Sequence, residues 1–135
     1  MAATVVANAA LFGGTVASLC SAQTGNGDTT NVGDRGPSAK ANSTKIRVTA
    51  IPGATPTCTY QINVSADNSS FAAATYADVS TPTTDVSTTF VSTGGVVEKI
   101  VKNQTAWRYI KVTMSANTNV TNTIDVIFND GKRWV

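Results

Sequence analysis

Hydrophobic and polar residues alternate with period two over most of the chain beyond residue 43. In Lys45-Ile46-Arg47-Val48-Thr49-Ala50, the residues Ile46, Val48 and Ala50 share one side, and Lys45, Arg47 and Thr49 the other. Pro52-Gly53 and Pro56 read as the end of that strand. Cys58, Tyr60, Ile62, Val64 and Ala66 then alternate with Thr59, Gln61, Asn63 and Ser65, the longest unbroken alternation in the chain. Asp67-Asn68-Ser69-Ser70 reads as a turn. Phe71 to Ala77 is a short strand or an irregular edge, and Ser80 to Asp85, with Pro82, is a loop. Val86, Thr88 and Phe90 alternate again, and Gly94-Gly95 predicts a hairpin into a strand over 96–102. Trp107 to Ser115 is a further strand, with Ile110, Val112 and Met114 on one face. Asn117 to Asn122 reads as a polar turn, and 123–128 as the last strand, with Ile124, Val126 and Phe128 together. Asn129-Asp130-Gly131 turns into the end of the chain.

Short strands with turn signals about every ten residues predict an all-β protein, an antiparallel β-sandwich or jelly roll. Residues 1–42 break the pattern. They are rich in Ala, Gly, Thr and Asn, with loop signals at Gly25-Asn26-Gly27-Asp28 and Gly33-Asp34-Arg35-Gly36-Pro37. This segment reads as an extended N-terminal arm or long loop, with at most one short strand, ahead of a sandwich domain over 43–135. A polar stretch of that length suggests a segment that orders against a neighbour.

Composition agrees with the pattern. The 135 residues include 22 Thr but only 2 Leu and 1 Glu. Leu and Glu are strong helix formers, whereas Thr suits a pleated, half-buried surface. A mainly helical fold is excluded on that ground.

Charge and chemistry narrow the function classes. The net charge is +2, too small for a dedicated nucleic-acid binder that must neutralise many phosphates. No apolar run is long enough to span a bilayer, and no Lys or Arg precedes Arg35, so the basic start of an export leader is missing. The chain has no His, which removes the commonest base and metal ligand. Cys20 and Cys58 are far apart with no metal-like spacing and read as small buried hydrophobes. Asp67, Asp78, Asp85 and Asp130 read as turn residues, where their local hydrogen bonds are favoured. A calcium ion in the Gly25-Asn26-Gly27-Asp28 loop or around Asp34 is conceivable, with an ordinary polar loop as the default. The expectation is a non-enzyme with no cofactor and no metal.

One feature stands out. Period two puts Trp107, Tyr109 and Lys111 side by side on the outward face of their strand. Two rings and a cation can stack on sugars, bases or partner side chains. The alternative is that one ring belongs to the edge of the core. Trp134, near the chain end, is a second candidate anchor, in its own domain or in a neighbour.

Two segments carry a resemblance. Tyr60-Gln61-Ile62-Asn63-Val64-Ser65-Ala66-Asp67-Asn68-Ser69-Ser70-Phe71 resembles the strand–turn–aromatic segment of discoidin-like galactose-binding jelly rolls. Trp107-Arg108-Tyr109-Ile110-Lys111-Val112-Thr113 resembles a later strand of that fold. Variants of the pair are also found in small bacteriophage virion proteins of head and tail. The sugar- or lipid-reading loops of a discoidin domain have no counterpart here. The long small-residue N-terminal segment and the sparse charge are similar to capsid decoration (cement) proteins. That resemblance implies a virion structural protein, assembled in the host cytoplasm. It would bind the major capsid protein on the outside of the shell and stabilise capsomer junctions, as a homotrimer, with no nucleic acid or membrane partner. It places shell contacts on 1–42 and subunit contacts on Trp107, Tyr109 and Trp134. Two other readings stay open: another phage virion part (tail tube, fibre or head–tail component), and a carbohydrate-binding module that uses Trp107 and Tyr109 on a glycan.

Overall fold

The computed structural model describes residues 4–7, 15–35, 43–102 and 107–129. Every regular element in it is a strand: β1 (Thr4–Ala7), β2 (Thr15–Gln23), β3 (Gly27–Asp28), β4 (Asn31–Asp34), β5 (Ser43–Ser65), β6 (Ala72–Ala73), β7 (Thr75–Asp78), β8 (Thr89–Ser92), β9 (Gly95–Lys102) and β10 (Tyr109–Asn129). The fold is all-β, an antiparallel sandwich, as the alternation predicts.

The sandwich is one sheet bent double. The long strands β5 and β10 pair antiparallel from Tyr109 opposite Ser65 to Asn129 opposite Ser43. Their register breaks only between residues 115 and 120 of β10. On the other side of β5, β9 pairs with its first half and β8 with its second. On the other side of β10, β2 pairs with its second half, and β3 and β4 with its first. Four stretches therefore run side by side, and all four turn the same corner. The exception to antiparallel pairing is β1, which lies parallel to β4.

The corner is written in backbone conformation. Ala22, Gly25 and Gly27 on the first stretch have positive φ, as do Ala116 and Asn119 on β10, Thr55 on β5, and Gly94 and Gly95 where β8 passes into β9. A left-handed residue within a strand goes with a bulge that bends it, and such bends let a strand change layer. Opposite the single residue Asn119, β5 carries residues 53–56, so it bulges outward at the bend. Side chains tie the four corners laterally. Asn117 Nδ2 donates to Gly25 O and Val120 O, and its Oδ1 accepts from Val120 N. Asn119 Nδ2 donates to Ala54 O at 2.7 Å. Pro52 fills the space over Gly94, where a Cβ would meet it at 3.0 Å.

Inside the bend lies one core. Ile46, Val48, Ala50, Ile124, Val126 and Phe128 come from one layer; Tyr60, Ile62, Val64, Ile110, Val112 and Met114 come from the other. These are the inward residues that the alternation predicts. Each fully buried Ile, Val or Phe contributes roughly 1.5–3 kcal/mol of burial free energy. The layers approach closely at Gly33, where a Cβ would fall 3.0 Å from Ile110, 3.1 Å from Val126 and 3.3 Å from Phe128.

The structure differs from the sequence reading in three places. Pro52-Gly53-Pro56 and 117–122 do not end strands; they are corners inside β5 and β10. Gly94-Gly95 does not close a hairpin, since β8 and β9 both pair with β5 and not with each other. Residues 15–35, read as part of the arm, are strands of the sheet hydrogen-bonded to β10, with Ala17 and Leu19 buried and Val16 and Ser18 facing out. Their short apolar stripe is interrupted by the Gly25–Gly27 corner, which hides the alternation.

Candidate interaction surface

The outward face of the layer formed by the second half of β5 and the first half of β10 holds the residues singled out above. Tyr109 and Lys111 lie there, two residues apart on β10 and half-buried. Trp107 does not join them. It precedes the first residue of β10, so the pleat does not dictate its direction, and it is 5% exposed, packed into the core. The bland alternative for that ring is the one the structure adopts. Trp134 lies outside the described residues.

Three aromatic rings in this region each carry a cation from their own chain. The Arg35 guanidinium lies 3.6 Å from the Trp107 ring centroid, and its Nε donates to Trp107 O at 2.8 Å. Arg108 lies 5.1 Å from the Tyr109 centroid. Lys111 Nζ lies 4.2 Å from the Phe71 centroid. Such contacts strengthen as the cation loses water. Burial pulls the Arg35 guanidinium down to about 10, which leaves it charged at neutral pH.

Two of these cations are held by carboxylates. Arg108 Nε and Nη2 donate to the two oxygens of Asp34 at 2.8 and 3.0 Å, a bidentate pair. These bonds raise the Arg108 pKa further. Lys111 Nζ donates to Asp28 Oδ2 at 2.8 Å, while Thr113 Oγ1 donates to Asp28 Oδ1 at 2.6 Å. Burial works to raise the Asp28 pKa, but the Lys111 and Thr113 hydrogen bonds and the ammonium charge outweigh it and hold the carboxyl below its ordinary value. The network continues sideways. Asn63 Nδ2 donates to Thr113 Oγ1, and Gln61 Nε2 to Asn63 Oδ1. Sequence reasoning found Tyr109 and Lys111 as surface candidates but missed the pairings that join Phe71, Asp28, Asp34, Arg35 and Arg108 to this region. No local signal marks the Arg35–Trp107, Arg108–Asp34 and Lys111–Asp28 pairings, because they join residues more than seventy positions apart.

The remaining described carboxylates are engaged too. Asp67 Oδ1 accepts from the backbone N–H of Ser69 and Ser70, which with the Ser65 hydroxyl holds its pKa below the ordinary value. Glu98 pairs with Lys45, Asp125 with Arg47 and Asp78 with Lys99, and Asp85 accepts from the Thr75 hydroxyl. Cys20 and Cys58 are free and buried, as read from the sequence. At the corner, Ile51, Pro52, Gly53, Ala54, Asn117 and Asn119 line part of an open cleft of about 530 Å³. The Asn117 and Asn119 amide nitrogens there already donate to backbone carbonyls.

No protein-family model, curated protein or solved structure matches this chain.

Proposed function

We propose that the protein is a non-enzymatic structural component of a bacteriophage virion, a capsid decoration (cement) protein that binds the outside of the shell and stabilises capsomer junctions. The observation that carries this reading is the network of rings, cations and carboxylates at the outer face of the layer that holds Tyr109 and Lys111 and, at Trp107, in the core edge beneath it. Arg35 on Trp107, Arg108 between Tyr109 and Asp34, and Lys111 between Phe71 and Asp28 spend their interactions within the body. A catalytic face keeps its polar groups aimed at a reacting centre. This face uses them to brace a sheet. A stiff body can bridge two shell subunits without losing much conformational freedom on docking. The resemblance of the Trp107 to Thr113 segment to virion proteins supports the same reading.

A sugar-binding module makes a different demand. Sugars stack on bare aromatic faces, whereas each of these rings already carries one of the chain's own cations.

The test is the copy number per particle, by quantitative mass spectrometry of purified virions from the source culture. Copies on the scale of the capsid lattice are the expected result. A handful would move the protein to a tail, fibre or connector. Absence from particles would end the virion reading.

A further inference from the structure

Asn26 is the only Asn in the chain followed directly by Gly. It sits exposed at the corner of the first stretch, between Gly25 and Gly27, and Gly27 opens β3. Its neighbours leave it room, since a Cβ on either glycine would meet nothing within 4 Å. Their φ values, +82° and +115°, are ones that residues with side chains rarely adopt, so both positions favour glycine. Asn117 holds this turn from β10. Its backbone N–H donates to Asn26 Oδ1 at 2.8 Å, and its Nδ2 donates to Gly25 O at 2.9 Å.

The first of these bonds sets the direction of the Asn26 amide. A backbone N–H can only donate, so Oδ1 faces Asn117 and Nδ2 is turned away from it. The same N–H draws charge from Cγ and stands where an oxyanion forms when that carbon is attacked. The nearest nucleophile is covalently attached: the Gly27 backbone nitrogen, which closes a five-membered ring on Cγ. Thr29 N donates to Val112 O at 2.8 Å, so the alternation of the ladder makes Gly27 and Met114 its next bonded pair. β3 is two residues long, so one rung has to open to release the Gly27 nitrogen.

We infer that Asn26 is a self-modification site, converted to aspartate and isoaspartate in the folded protein. The Gly27 nitrogen loses its proton to hydroxide and bonds to Asn26 Cγ, while the Asn117 N–H holds the oxygen. The Cγ–Nδ2 bond then breaks, and the nitrogen takes a proton from water and leaves as ammonia. Water opens the cyclic imide that remains. Opening at Cγ gives aspartate, and opening at the main-chain carbonyl of residue 26 gives isoaspartate. The net reaction is hydrolysis of one amide, with no oxidant and no cofactor. Aspartate adds one negative charge and still accepts from the Asn117 N–H, now as a charge-assisted bond. Isoaspartate adds one carbon to the main chain just before β3, against the register of Gly27 with Met114 and of Asp28 with Thr113. It therefore pulls at the Lys111–Asp28 pair as well. The inference does not rest on the virion reading.

The test is peptide mapping by mass spectrometry of the full chain, incubated at neutral pH and one unit above it, with circular dichroism checking that it stays folded. The expected result is a mass gain of one dalton that grows with time in the peptide holding Asn26. It should appear as two products separable by chromatography, one of them matching the same peptide from Asn26→Asp. The rate is expected to rise by up to about tenfold over that pH unit, because the attacking nitrogen must first lose its proton. Asn68 and Asn119 are exposed too, but Ser69 and Val120 follow them, and both are expected to stay unconverted over the same time. An Asn26 that stays intact overturns the proposal. So does a rate at Asn26 no greater than at Asn68. Conversion that appears only in the chain unfolded by urea overturns it as well, since the ladder would then lock the Gly27 nitrogen.

Discussion

The Tyr60 hydroxyl donates to Asn122 Oδ1 at 2.5 Å and so joins the two layers through the middle of the core. Both residues are fully buried. Asn122 also donates through Nδ2 to Met114 Sδ at 3.3 Å and to Cys58 Sγ at 3.7 Å, and its backbone carbonyl accepts from Cys20 Sγ at 3.5 Å. The knot sits just inside the corner, where β5 and β10 cross from layer to layer. A buried amide is costly unless its hydrogen bonds are made, so this one fixes how the halves stack.

Tyr60→Phe keeps the ring that stacks on Phe90 at 5.0 Å between centroids and removes only the hydroxyl. Asn122 Oδ1 is then left buried without that donor. The expected cost is about 1–3 kcal/mol, measured by urea unfolding of parent and variant. A change within measurement error would mean that the oxygen finds another partner and that the bond does not fix the layers.

The same knot predicts an alkaline limit. Burial pushes the Cys20 thiol from 9.0 up to about 11, with the Asp125 charge adding to it against a backbone hydrogen bond from Ile124. Burial also raises the Tyr60 phenol above 10.0, with the neighbouring Cys58 and Cys20 contributing. Both groups are held neutral in the folded state and ionise sooner in the unfolded chain. The contribution of these two groups is therefore level below about pH 9 and falls as pH rises from there through about 11. Unfolding midpoints across that range would show the fall. Tyr60→Phe should make the fall above about pH 10 shallower, with the Cys20 part remaining, and leave the part below it. A profile that stays level to pH 11 would contradict the burial of these groups.

The layers were legible in the sequence, and the bend was not. Period two placed Ile46, Val48, Tyr60, Ile62, Ile110, Val112, Ile124 and Val126 inward, because side-chain direction in a strand is local information. Whether Pro52-Gly53 ends a strand or bends it depends on what lies beside it. Here that is Asn119 on one side and Gly94 on the other, and neither is near in sequence. The same limit hid the bracing of the outer face. Lys111 was visible as an outward cation, but Asp28, its partner, is 83 residues away in a loop that reads as an ordinary turn.

Thr55 offers a test of the corner. Its φ is +44°, in a region that a β-branched residue adopts with strain. The residue is exposed, and among the described residues its hydroxyl bonds only to the adjacent Ala54 carbonyl. Thr55→Gly should relieve more strain than it adds in unfolded-chain entropy, for a net gain of about 0.5–1 kcal/mol. A loss of stability in thermal or urea unfolding would show that the hydroxyl contact outweighs the strain. Asn117→Ala should move the other way, by about 1–3 kcal/mol, because its amide ties Gly25 to Val120 across two corners.

Trp107 separates a braced core edge from an exposed binding ring. The ring is buried under Arg35 and packed in the main cluster, while Tyr109, two residues on, is half-buried on the outer face. Removing a buried Trp side chain leaves a cavity and costs about 3–5 kcal/mol. It also strips the Arg35 guanidinium of the ring it stacks on. Tyr109→Ala removes a ring that is still partly in water, so its cost should be smaller, about 1–2 kcal/mol. Urea unfolding of the two variants should therefore rank Trp107→Ala well below Tyr109→Ala. Equal and small effects would place the Trp107 ring at the surface, where it would again be a candidate for stacking on a glycan or on a partner.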